Sequence, residues 1–295
     1  MMKPTVTIGV CVRNCEASIK EAINSIFDQD FPHERMEVIF VDDGSEDRTL
    51  SVILDSLSRM DMQVKVFHSK WRGLGPARNS VVDNASGKYI VWVDGDMTLP
   101  KDHVRKQVKF MEQNPNVGIA KARYGMLHGE NVVATLENIQ YIAIDSKYEG
   151  KVNPEKLGTG ASIYRVEAIR QVGGFDFHIK GAGEDADAES RIRNAGWLLY
   201  KGTPALFYER HKKTWKDLWD ENFWYGYGGH YILHKNRQTV PFAALSAGLL
   251  HSFTAYKITH RKVVFLLPLQ HAFKKIAWYF GFVKGKIDGY KHSSV

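Results

Sequence analysis

Two cysteines are all that this chain of 295 residues carries, and they stand close together as Cys11 and Cys15. No second Cys/His pair completes a zinc pattern, and so few thiols exclude a disulfide-stapled scaffold. They read as reduced thiols of a cytosolic-type compartment, with a Cys11–Cys15 disulfide as the alternative. A signal-peptide pattern is missing, because a strand pattern begins almost at once. Internal repeats and low-complexity segments are absent too. Long apolar runs are scarce: Val240–Tyr256 is an uncharged run of 17 residues broken by Pro241 and His251. That lies at the lower limit for a membrane-crossing helix and suits an interfacial or re-entrant segment equally well. Acid is in deficit, with 40 Lys+Arg against 33 Asp+Glu and a pI near 9.2. This balance suits an anionic partner: a nucleotide diphosphate, a phospholipid or a nucleic acid. The basic residues are scattered rather than striped and no nucleic-acid-binding module is present, so nucleic acid is set aside.

What is present is alternation. Thr5–Val12, Glu37–Val41, Gln63–His68 and Lys88–Val93 read as strands, with helices over Glu16–Asp28, Thr49–Met60 and Pro76–Ala85 between them. Such β-α repetition predicts a mostly parallel, doubly wound α/β sheet with helices on both faces. Further on come a helix to Gln113, a strand near Val117–Arg123 and a helix near Val133–Tyr148. A short strand at Ala161–Tyr164 and helices near Val166–Val172 and Glu184–Ala195 follow. Ligands of such sheets bind beyond the carboxyl ends of the strands. Val12-Arg13-Asn14, Asp42-Asp43 and Asp94-Gly95-Asp96 all fall on that rim.

Asp94 and Asp96 end a strand with one glycine between them, so period-two alternation sends both carboxylates to the same side. Gly95 lets a ligand approach the backbone. Two hard oxygen donors suit Mg²⁺ or Mn²⁺, which in turn grips a diphosphate. Taken alone, the triplet reads equally as a solvated turn; its convergence with the other rim segments decides against that.

In order along the chain, Val12-Arg13-Asn14, Val41-Asp42-Asp43-Gly44-Ser45, Gly75-Pro76-Ala77-Arg78-Asn79, Asp94-Gly95-Asp96 and Gly183-Glu184-Asp185 resemble the family-2 nucleotide-sugar glycosyltransferases of GT-A fold. The resemblance runs from Thr5 to about Gly228. It implies that Val12, Arg13, Asn14, Asp42 and Asp43 hold the base and ribose. It also implies that Asp94 and Asp96 hold the metal, with Thr98 as a further hydroxyl ligand. Asp185 becomes the general base of an inverting transfer, with Glu184 beside it on the acceptor side. Gly160, within Gly158-Thr-Gly-Ala-Ser162, lines the donor sugar. His211 completes the metal ligands or touches the diphosphate; a structural histidine is the other reading. Arg78 reaches the nucleotide, braces Asp94, or forms a purely structural ion pair. Relatives similar to cellulose synthase carry Gln-x-x-Arg-Trp where this chain has Asn222-Phe223-Trp224-Tyr225. The arginine is missing, so single addition is expected rather than processive polymerisation, with Trp224 as an acceptor platform.

The expected division is a catalytic domain over 1–212 and an aromatic, membrane-associating helical region over 213–295. Basic residues flank Trp and Phe there, as on a helix lying on an anionic membrane; a core-packing or dimerising subdomain is the alternative. The expected activity is transfer of a hexose, first choice mannose from GDP-mannose and second glucose from UDP-glucose, to a lipid-linked glycan at the cytosolic face of the cell membrane. That donor order follows a general similarity to mannosyl transferases acting at membranes, dolichyl-phosphate mannosyl synthases among the relatives it resembles. The alternatives are a polyprenyl-phosphate glycosyl synthase and a non-catalytic carbohydrate- or membrane-binding relative. Asp94, Asp96 and Asp185 argue against the last.

Overall fold

The computed structural model describes residues 3–127, 131–154, 156–179, 181–235 and 246–289, with backbone alone for 234 and 246–251. Among these, eight strands form one sheet. They are β1 (Val6–Val12), β2 (Met36–Asp43), β3 (Gln63–Ser69), β4 (Tyr89–Trp92), β5 (Met97–Thr98), β6 (Val117–Tyr124), β7 (Ser162–Arg165) and β8 (Leu198–Glu209). Their order is β3-β2-β1-β4-β7-β6-β8-β5. The first four sheet positions are parallel, as the β-α alternation requires. The helices α1 (Ile19–Phe27), α2 (Thr49–Ser56) and α3 (Leu74–Asn84) make the crossovers.

Alternation along the strands sorts the core into two layers. Val38 and Phe40 of β2 join Ile8, Val10 and the α1 residues Ile19, Ala22, Ile23 and Ile26 on one face. Ile39 and Val41 join Val81, Trp92, Tyr164 and Phe175 on the other. β2 is buried along its whole length, as a strand covered on both faces must be. α1 owes its place to apolar residues three and four apart on one side.

The second half of the sheet departs from the parallel expectation. β7 runs antiparallel to both β4 and β6. β8 is a full strand of 12 residues, where the sequence suggests only a short one before His211. Gly202 and Pro204 hide it, because both weaken a strand pattern. Pro204 falls where the β6–β8 register jumps from Lys121↔Lys201 to Arg123↔Leu206. Its missing N–H therefore leaves no gap in the ladder. Five more helices lie along the later chain: α4 (His103–Gln113), α5 (Val132–Tyr148), α6 (Val166–Gln171), α7 (Glu184–Asn194) and α8 (Trp215–Lys235). The last two are α9 (Ser246–Thr259) and α10 (Leu267–Asp288).

The chain divides into two compact units. A sheet unit takes Met1–Gly125, Asp145–Phe177 and Glu184–Arg210; a helical unit takes Met126–Ile144, His178–Gly183 and His211–Val295. A single boundary after residue 212 therefore misses two earlier segments of the helical unit. Within that unit, α8 and α10 meet backbone to backbone. A Cβ on Gly281 would collide with Phe223 O, and one on Gly226 with Trp278 O. Lys274 forms an ion pair of 2.8 Å with buried Glu137. Part of the Val240–Tyr256 run, residues 240–245, lies outside the described residues. Among those described, no helix is long and apolar enough to cross a membrane.

Candidate active site

At the end of β1 the backbone turns through Asn14, whose φ of 53° is left-handed. Its N–H donates to Ser45 Oγ at 3.0 Å, and its Oδ1 accepts the Glu46 N–H at 2.8 Å. The Arg13 guanidinium donates to Gly44 O at 3.3 Å, pairs with Glu46, and lies 5.1 Å from the Trp71 ring centroid. The first two rim segments are thus tied together.

Asp42 and Asp43 differ from the expectation of free oxygens. Asp42 is fully buried, accepts the Ser45 N–H and hydroxyl on Oδ1, and meets His68 Nδ1 at 2.8 Å on Oδ2. Asp43 accepts the Arg72 and Gly73 N–H groups, both at 2.8 Å. A buried carboxylate must find donors, and the neighbouring loops supply them. These two residues frame the wall of the rim. Exposed groups on that wall include Arg13, His68 and Trp71, the last 54% exposed. Trp71 offers an aromatic face for a base, and its place between Lys70 and Arg72 gave no periodic signal by which to find it.

Asp94, Gly95 and Asp96 form a tight turn, in which the Met97 N–H donates to Asp94 O at 3.1 Å and the Arg210 N–H to Asp96 O at 3.0 Å. A Cβ on Gly95 would stand 2.9 Å from Val12 Cγ1 and 3.1 Å from Cys15 Sγ, so only glycine fits against β1. A Cβ on Gly160 would stand 2.7 Å from Asp94 Oδ2. Met97 Cε already occupies that side, so only glycine lets the loop pass against Met97 and Asp94. Among the described residues no group of three His, Cys, Asp or Glu side chains gathers closely enough to hold a metal alone. Two hard carboxylates one residue apart at the strand's end fit a Mg²⁺ or Mn²⁺ that would draw its remaining ligands from a diphosphate and water.

Arg78 and Glu184 form a buried ion pair, their side chains 7% and 2% exposed. Glu184, expected on the acceptor side, is therefore turned inward, because α3 presents it with a guanidinium. Burial acts against the charge on Arg78, but Glu184, Asp94 and Asp185 outweigh it and hold the guanidinium firmly protonated. Arg78 is spent on Glu184 while its field reaches both Asp94 and Asp185. Asn79 completes the brace, donating to Phe175 O and accepting the Phe175 N–H, both at 2.8 Å.

Asp185 opens α7 and accepts the Ala186 N–H at 2.8 Å. Burial pushes its carboxyl up, yet Lys156, Arg78, the Ala186 N–H and Lys121 together hold it below the usual carboxylate range. It is an ionised group, as a base must be. One turn on, buried Glu189 accepts the Leu157 and Gly158 N–H groups at 2.9 and 2.6 Å, fixing the glycine loop. Burial and then Asp185 push Glu189 up to about 7. Neither Glu189 nor Lys121 was singled out from sequence, since each lies inside an ordinary helix or strand pattern. The same holds for Glu209, which accepts the Tyr124 hydroxyl and is pushed up to about 8 by burial, Asp96 and Asp94.

His211 and Trp224 belong to the helical unit. His211 stacks on Tyr141 at 5.1 Å, and burial followed by Lys274 and Lys212 lowers it to about 4. Trp224 stacks on Tyr227 at 6.2 Å and is 36% exposed. Cys11 and Cys15 are free thiols.

A sheet whose parallel strands end in Asp-x-Asp, beside a glycine loop and an acidic helix start, is the layout of GT-A nucleotide-sugar transferases. The sequence profile of glycosyl transferase family 2 matches residues 7–173, more than half of the chain, and the chain belongs to that family. It is 24% identical over 242 residues to the "Probable glycosyltransferase YdaM" of Bacillus subtilis (strain 168), covering 79% of this chain and 57% of that protein. Over 114 residues it is 31% identical to the poly(ribitol-phosphate) beta-N-acetylglucosaminyltransferase TarS of Staphylococcus aureus (strain Mu50 / ATCC 700699), covering 39% of this chain and 20% of that one. The chain thus spans little more than half of one relative and a small part of the other. Among solved structures it resembles the mannosyltransferase PcManGT from Pyrobaculum calidifontis in complex with GDP-Man and Mn²⁺ (TM-score 0.68, 18% identity, 98% of this chain and 88% of that one). That likeness establishes the shared fold.

Proposed function

We propose that this protein is an inverting, metal-dependent hexosyltransferase acting on a lipid-linked glycan at an anionic membrane surface, on its cytosolic face. The observation that carries the reading is the pairing within one unit of an ionised Asp185 with the Asp94–Asp96 turn, both in the field of buried Arg78. In the transfer, the acceptor oxygen bonds to the anomeric carbon as its proton passes to Asp185. The bond from that carbon to the diphosphate oxygen breaks, and the nucleoside diphosphate leaves. A positioned base of this kind supplies about 10²–10⁴ in rate. Mg²⁺ or Mn²⁺ held by Asp94 and Asp96 would neutralise charge on the leaving diphosphate. Gly160 lets the loop pass against Asp94 beside the donor sugar, and Arg13 and Trp71 take the base. GDP-mannose is the first choice of donor, in keeping with the ligand of PcManGT; UDP-glucose is the second.

The membrane part of the reading rests on α10. Leu269, Ile276, Tyr279, Phe280 and Ile287 are exposed and share a stripe about 100° wide on the helix. Lys275 and Lys286 border it on one side, where lysines can snorkel beside buried apolar groups; on the other side Lys284 is paired with Asp288 at 2.6 Å. The opposite side carries Leu267, Gln270, Ala277, Gly281 and Gly285, which are buried. A polyprenyl-phosphate acceptor is less well supported. A phosphate acceptor would call on cations near the base, but Arg191 and Arg193 donate at 2.6 Å to Val172 O and Pro154 O, and Lys180 lies outside the described residues.

The test is nucleoside diphosphate release from GDP-mannose, UDP-glucose and UDP-GlcNAc, with Mn²⁺ and with chelator. Metal-dependent release from one donor, abolished by Asp96→Ala, is the expected result. Asp185→Asn should then bind that donor normally while transfer to acceptor is lost. Failure of wild-type protein to bind any of these nucleotides with Mn²⁺ would sink the proposal.

A further inference from the structure

Lys121 lies on β6 with its side chain turned into the sheet unit, and the residue is 7% exposed. An ammonium carries three donors. Here one of them reaches Gly158 O at 3.4 Å, and the group rides 5.7 Å from the Phe207 ring centroid. Among the described residues no carboxylate comes within ion-pair distance of it. Acids nonetheless surround it: burial lowers its pKa and Lys201 adds to that, while Glu209, Glu189 and Asp94 act against the fall. A buried cation with one long hydrogen bond is costly unless further acceptors arrive.

Two glycines define where an acceptor could enter. A Cβ on Gly158 would stand 3.4 Å from Lys121 Nζ and 3.6 Å from Asp185 Oδ2, so ammonium and base open onto the same point. Gly158 has a φ of 77°, so the backbone there excludes most side chains as well. Two residues on, the loop passes beside Asp94 Oδ2 at Gly160, where Met97 and Asp94 together leave no room for a side chain. The loop 158–160 therefore runs from the base to the metal carboxylate with Lys121 beside it. Inverting transfer requires the sugar ring to occupy this interval, with the diphosphate at Asp94 and Asp96 and the incoming hydroxyl at Asp185.

Resting on the transferase reading above, we infer that Lys121 reads the donor sugar. Its ammonium donates to ring hydroxyls of the hexose being transferred and so helps to determine which sugar is accepted. The hydroxyl oxygens supply the acceptors that the buried ammonium lacks. Binding of the nucleoside diphosphate itself does not draw on this group.

Calorimetry with Mn²⁺ on wild-type protein, Lys121→Met and Lys121→Arg separates the possibilities, with UDP and GDP as one set of probes. The second set is UDP-GlcNAc, UDP-glucose and GDP-mannose. In Lys121→Met the preferred sugar nucleotide should bind about 10–100-fold more weakly, the scale of a hydrogen bond to a charged group, while UDP or GDP stays within about twofold of wild type. Lys121→Arg should alter the ranking of the three sugars, because a planar fork meets hydroxyls differently. Retained diphosphate binding shows that the variants are folded. Equal weakening of diphosphate and sugar nucleotide would overturn the inference by assigning the ammonium to the diphosphate or to folding. Unchanged affinity for both, or a shifted kcat–pH profile with unchanged sugar affinity, would assign it to Asp185 instead. If wild-type protein binds neither UDP nor GDP, the transferase reading itself fails.

Discussion

The two units solve opposite problems. The sheet unit buries charge: Asp42, Arg78, Glu184 and Glu189 are all buried, and each is met by a partner. The helical unit exposes oil: Leu269 and Ile287 on α10 are 69% and 74% exposed. A polar interior is expensive and gives defined electrostatics, which suits bond breaking. An apolar exterior is a liability in water and gives adhesion, which suits a surface. The same chain spends stability in one place to hold a field and in the other to keep a face unburied.

The contrast is broken most severely at Arg78. Arg78→Met should lower the unfolding free energy by about 3–5 kcal/mol, because Glu184 stays buried without its partner. Urea titration measures this, and Arg78→Met with Glu184→Gln should recover part of the loss. A drop below about 1 kcal/mol would mean that the pair behaves like a surface bridge.

A smaller effect is expected on the other unit. Leu269→Glu with Ile276→Glu should weaken co-sedimentation with phosphatidylserine-containing vesicles by about tenfold or more, since two apolar side chains no longer enter the interface. Melting temperature and nucleotide binding should be unchanged. Equal sedimentation of the double variant and wild type would remove the membrane from the reading of α10.

The smallest effect concerns His103, which is fully buried with Nδ1 2.6 Å from Leu206 O. Burial lowers it to about 4, against the Leu206 hydrogen bond. Between that value and the unfolded one the native state holds fewer protons, so stability is complete above about pH 6.5 and declines as pH falls toward 4. His103→Gln should flatten the dependence of melting temperature on pH across this window and leave the helical unit's surface unaffected. An unchanged slope would show that His103 does not titrate with unfolding.

The parallel half of the sheet was legible because β1, β2 and β4 are compact apolar runs ending in turns that hold Asn, Asp or Gly, and β3 alternates apolar with polar residues. Asp94, Gly95 and Asp96 were legible for the same reason, at the end of Tyr89–Trp92. Antiparallel β7 was not, since four residues carry no sign of direction. β8 was masked by Gly202 and Pro204. Asp42 and Asp43 were readable as rim residues, yet the donors that occupy them come from residues 45, 68, 72 and 73, and only folding brings these together. Glu184 turned inward because Arg78, 106 positions earlier, was waiting for it. Lys121 left no trace in the pattern, because a lysine in a strand ordinarily marks a solvent face. The segments 126–144 and 178–183 join the helical unit from within the first two hundred residues, which no linear boundary can express.

The glycines of α8 and α10 have a consequence for how this chain can change over generations. Where Gly226 faces Trp278 O and Gly281 faces Phe223 O, the whole repertoire of side chains is closed off. The outer stripe of the same α10 accepts any large apolar residue with little change in its chemistry. One helix thus carries two rates of permissible drift: near zero on the face that meets its neighbour, and high on the face that meets the surroundings.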